Sequence, residues 1–182
     1  MPGPYAAPLD RLLALGQPRS MRLEGWDDYR ALGFGEEHLA ELLRMAADPE
    51  LLWADSDDVR VWAPVHAWRA LGQLRAEAAV EPLLAVLDED GSDWAKNDLP
   101  DVFGMIGPAA IPALARYLAD ADHEEWARVA AASGLKEIAA AHPEARGEAV
   151  APLLRQMGKW YRSPEVVNSF VMDSLVELGV RE

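Results

Sequence analysis

Cysteine is absent from this 182-residue chain. That excludes a disulfide framework and a thiolate metal site, and it fits a reducing compartment, so the cytoplasm is the expected location. Lysine is scarce: Lys96, Lys136 and Lys159 are the whole complement, and no run of basic residues occurs. With 31 acidic residues against 17 Lys and Arg the net charge is −14. Such a chain repels phosphate backbones, so no nucleic-acid partner is expected. No segment approaches the ~20 apolar residues that span a bilayer, and residues 1–8 lack a basic stretch before an apolar run. Neither membrane insertion nor secretion is indicated. Alternating runs of β-branched residues are also missing, which leaves an all-α chain.

The signatures of catalysis are missing as well. There is no Gly-x-Ser-x-Gly elbow and no phosphate-cradling glycine loop ending in Gly-Lys. The four histidines, His38, His66, His123 and His142, fall in four separate elements without the pair spacing of a metal site. Residues 88–93 look superficially like a calcium loop, but the glycine falls at the fourth position and the twelfth residue is Leu99 where a glutamate is needed. The sequence therefore names no catalytic residue, no metal and no cofactor. It leans away from an enzyme, the alternative being small-molecule chemistry of lyase or other type in a concave groove.

What the chain does have is a period. Trp62, Trp94 and Trp126 each stand 12 residues before an apolar residue that closes a helical pattern, Leu74, Ile106 and Ile138, and successive closers are 32 residues apart. Leu71, Phe103 and Leu135 lie three before each closer, and Ala67, Leu99 and Ala131 seven before. These offsets share one helical face. Each such helix is followed by a second: 61–74 by 76–87, 94–106 by 108–118, and 124–140 by 144–161. A further first helix covers 166–179. Repeated helix pairs cannot bury their apolar faces alone, so they stack into an α-solenoid.

Before the array, short helices are expected at 10–16 and 26–32 and a firmer one at 35–47, ended by Asp48-Pro49. Residues 1–60 read as an N-terminal helical cap and 61–182 as the repeat array, together one domain.

The stretches 64–84 (PVHAWRALGQLRAEAAVEPLL) and 103–114 (FGMIGPAAIPAL) resemble HEAT-like repeats. More narrowly, residues 26–178 resemble a bacterial family of uncharacterised, lyase-type HEAT-like proteins. The resemblance implies a protein-interaction scaffold or adaptor. The broader group includes phycobilin lyases and a di-iron hydroxylase built on His-Glu pairs, but His123-Glu124 is the only such dipeptide here.

Two features suggest where a partner docks. Acidic residues concentrate in the turns between helix pairs: Asp48, Glu50, Asp55, Asp57 and Asp58; Asp88, Glu89, Asp90 and Asp93; Asp120, Asp122, Glu124 and Glu125. Beside them stand the three tryptophans, whose indole faces attract cations. A groove flanked by Trp62, Trp94 and Trp126 and edged by Asp90, Asp93, Asp122 and Glu125 would favour a basic protein or peptide. The plain alternative is that the acids complement helix dipoles and the indoles pack in the seams between repeats. Val167, Phe170, Val171 and Leu178 give the helix at 166–179 an apolar flank, which either caps the preceding repeat, forms a homodimer or meets another protein.

Overall fold

The computed structural model describes residues 5–89 and 93–180. Helices follow in the order α1 (Leu39–Ala46), α2 (Pro49–Leu52), α3 (Ala63–Gln73), α4 (Val80–Leu87), α5 (Asp93–Ile106), α6 (Ile111–Ala119), α7 (Glu125–Ala141), α8 (Arg146–Met157) and α9 (Glu165–Glu177). The odd-numbered helices pack side by side in one layer, α1 on α3, α3 on α5, α5 on α7 and α7 on α9. Helices α4, α6 and α8 form a second layer against them. Among the described residues there is no strand. The architecture is an all-α solenoid of helix pairs.

The 32-residue register holds in the core. Leu71, Phe103 and Leu135 are each 0% exposed, and so are Ala67, Leu99 and Ala131. Leucines of the second layer, Leu83, Leu114 and Leu153, are fully buried in the same core. Pro64, Pro112 and Pro49 sit in first turns, where a missing N–H is harmless. Pro100 lies inside α5, and its ring is buried.

Backbone turns repeat too. Arg75 and Gly107, 32 residues apart, both take positive φ (53° and 91°) where the chain leaves a first helix for a second. This left-handed residue after the last turn is a common helix stop.

The N-terminal region departs from expectation in part. A 3₁₀ helix covers Leu9–Ala14, and α1 follows a 3₁₀ turn at Glu36–His38, close to the expected positions. Residues 26–32 are not helical; they turn, with the Ala31 N–H bonded to Asp28 Oδ1 at 3.0 Å. Tyr29 explains why. Its ring is 0% exposed, its N–H donates to Gln73 Oε1 and its hydroxyl meets His66 Nδ1 at 2.6 Å, so tertiary contacts override a helical spacing. The expected helix at 144–161 stops at Met157, and a 3₁₀ turn at Trp160–Arg162 follows. In α9, Val167 and Val171 are fully buried against α7, whereas Phe170 stays 40% exposed and Leu178 is partly buried, so only part of the expected flank caps the preceding repeat.

Candidate functional site

The face of the first helices that points away from the second layer is where polar chemistry gathers. On α3 this face carries His66, Arg69 and Gln73, roughly opposite the Leu71 stripe at ~100° per residue. All three are engaged by the N-terminal segment. His66 Nε2 donates to the Gly16 carbonyl at 2.8 Å, Arg69 Nη1 to Ser20 at 2.9 Å and Gln73 Nε2 to Asp27 at 2.8 Å. Arg30 reaches back to the Gln73 carbonyl. Burial holds the His66 imidazole below its usual range, so at neutral pH it is the uncharged Nε2–H tautomer with Nδ1 free to accept from Tyr29.

Arg69 also spans the seam to the next repeat. Its Nε donates to Asp98 Oδ2 at 2.6 Å, both side chains are at most 2% exposed, and the Trp26 ring lies over the guanidinium at 4.3 Å. A pair this deeply buried adds little net stability over a hydrophobic pair, but removing one partner strands a charge at a cost of ~3–5 kcal/mol.

One repeat further on, the face is open. A cavity of about 610 Å³ lies between α5, α7 and α9, lined among others by Asp93, Asp101, Trp126, Ser133, Glu137 and Phe170. A second hollow of about 240 Å³ continues it toward the helix C-termini, past Met105, Gly104, His142 and Leu23. Asp101 and Glu137 line both, so they stand at the junction of one continuous valley. Burial, then the neighbouring Glu137 and Asp98 charges, push the Asp101 carboxyl up to about 6. Lys96 in the same wall is drawn to Glu124 at 3.2 Å, and Lys136 divides itself between Glu137 (3.1 Å) and Glu177 (2.9 Å). Among the described residues neither Asp93 nor Asp101 forms an ion pair.

The residues singled out from the sequence scatter across this surface. Trp62 packs edge-on against Trp94, ring centroids 4.9 Å apart, while Trp126 packs the same way against Phe170 at 5.5 Å. Trp94 and Trp126 keep 45% and 49% of their surface exposed, so the indoles form adjoining contacts rather than sealed seams. Of the expected acids, only Asp93 lines the main cavity with Trp126; Asp122 and Glu125 are exposed beyond it, and Asp90 lies outside the described residues. Other turn acids act as local ties. Asp48, Asp58 and Glu124 accept backbone N–H bonds at helix or turn starts. Asp88 accepts from Tyr117 at 2.5 Å and meets His123, which stacks on the Tyr117 ring at 3.7 Å. Asp101, Ser133 and Glu137 were not anticipated. Their signal was present in the period: Arg69, Asp101 and Ser133 are 32 residues apart, as are Gln73, Met105 and Glu137.

Residues 66–89, the α3–α4 pair, match the family model of the PBS lyase HEAT-like repeat. Together with the stacked helix pairs, this match to one pair supports reading the chain as a HEAT-like repeat protein. No curated protein and no solved structure matches it.

Proposed function

We propose that this chain is a scaffold that docks a basic partner protein on the open face of α5, α7 and α9. HEAT-like repeats commonly serve as protein-interaction scaffolds, and their extended surfaces suit that role. The observation that carries the reading is the 610 Å³ cavity, which sets half-exposed aromatic rings beside Asp93 and Asp101, carboxylates that form no ion pair among the described residues. The overall charge of −14 adds long-range attraction for a basic partner. Residues 1–60 and 61–182 act as one domain in this reading, because the N-terminal segment is bonded into α3 and helps to wall the valley through Leu23.

The test is a titration of Arg- and Lys-rich peptides, with neutral peptides as controls, at low salt and at physiological salt. Basic peptides should bind more tightly, and the preference should shrink as exposed charges are screened over ~8 Å. Trp126→Ala should weaken binding about tenfold through loss of the aromatic wall. Equal affinity for neutral and basic peptides at low salt would overturn the proposal.

A further inference from the structure

Along α3 the chain shows how its first-helix face holds a polypeptide. Residues 16–29 follow α3 from His66 to Gln73, in the helix's own direction, and are held by side-chain donors on their backbone carbonyls. At the same register on the next two helices the chemistry inverts. Where α3 offers the donors Arg69 and Gln73, α5 offers Asp101 and α7 offers Glu137, groups that only accept when ionised.

We propose that the valley between α5 and α7 binds an extended segment of a partner protein, running in the direction that residues 16–29 take along α3. One arginine side chain enters between Asp101 and Glu137, and one apolar side chain packs on the exposed faces of the Trp126–Phe170 pair. This rests on the docking role argued above and specifies its ligand. Arginine suits the junction better than lysine, because its planar guanidinium presents five donors and can serve carboxylates on two helices at once. The spacing follows from α7. Trp126 and Glu137 are 11 residues apart, about 16 Å along a helix. An extended chain covers that distance in about five residues. With the direction set by residues 16–29, the apolar residue precedes the arginine.

The probe is a capped nine-residue peptide of Gly and Ser with Leu at its second position and Arg at its seventh. Three further versions carry Lys or the neutral isostere citrulline in place of Arg, or Ser in place of Leu. Binding to the full chain is measured by calorimetry at low salt. The Arg peptide should bind about tenfold more tightly than the citrulline peptide, the scale of a charge-assisted hydrogen bond. Lys should fall between them. The isosteric double variant Asp101→Asn/Glu137→Gln should erase the difference, whereas Asp122→Asn/Glu125→Gln at the turn edge should leave it intact. Trp126→Ala should remove the advantage of Leu over Ser. Discrimination that survives the Asp101/Glu137 double variant overturns the valley site. If that discrimination vanishes only in the turn-edge variant, basic docking stands and its placement here falls. If basic and neutral peptides bind wild type alike, both proposals fall together.

Discussion

A carboxylate held half-buried against another carboxylate is costly in its charged form, and Asp101 is such a group. Its folded value of about 6 lies above the ordinary aspartate value near ~3.9. Between these values the folded chain keeps a proton that the unfolded chain releases, so this residue makes stability fall as pH rises through the interval. Asp101→Asn removes the penalty. Thermal melts at pH 7 should place the variant above wild type, and the gap should shrink by pH 5, where the folded aspartate is already protonated. A gap that is absent at pH 7, or larger at pH 5, would contradict this account. The residue that weakens the fold is also the one placed to receive a cation, as expected where binding chemistry is kept at the expense of stability. At this scale the sequence was legible in its core and less so on its surface. Leu71, Phe103 and Leu135 are marked by apolarity and period together. Asp101 and Glu137 are acids in mid-helix, which look like solvated residues until the register lines them up with Arg69 and Gln73. The turn acids drew attention because they cluster, yet Asp48, Asp58 and Glu124 are spent on capping N–H groups.

Between elements, the depth of the valley is set by how closely the first helices approach. Gly72 and Gly104, again 32 residues apart, sit in the seams α3/α5 and α5/α7. A Cβ on Gly104 would come within 2.8 Å of the Glu137 Cβ, closer than real contacts allow. Gly104→Ala must therefore push α7 away and carry Glu137 with it. Overpacking of this kind costs ~1–3 kcal/mol, which urea denaturation would measure; a loss under ~0.5 kcal/mol would mean that the seam yields freely. Most helix starts in the array were readable because glycine and proline agree with the apolar period there, whereas the end of α8 was misplaced, the expected helix at 144–161 stopping at Met157. The region before α1 was not, since Tyr29 and its partners His66 and Gln73 are more than 30 residues apart and no local pattern announces a contact between them.

Across the whole molecule the joints between repeats are unequal. The joint of α3 with α5 contains the dry Arg69–Asp98 pair and is overlaid by residues 16–29. The joint of α9 with α7 and α8 depends on Val167 and Val171 together with the solvent-accessible Lys136–Glu177 pair and a bond from Arg146 of α8 to the Leu178 carbonyl. In a stacked array each unit is held only by its neighbours. Exposed pairs contribute at most ~1 kcal/mol, so the C-terminal joint has less to lose when it opens. Pulled at its two ends, the molecule should thus behave as a spring with one stiff coil and one soft coil. In optical tweezers α9 should peel away first, at low force, and the segment up to α5 should give way last, in a single step. Arg69→Met should abolish the difference between the two events, whereas Lys136→Met should lower only the first. Because Phe170 belongs to the soft coil and Asp101 to the stiff one, tension on this chain would part the walls of its own groove before it unfolded the rest, and a docked partner would be released by load alone.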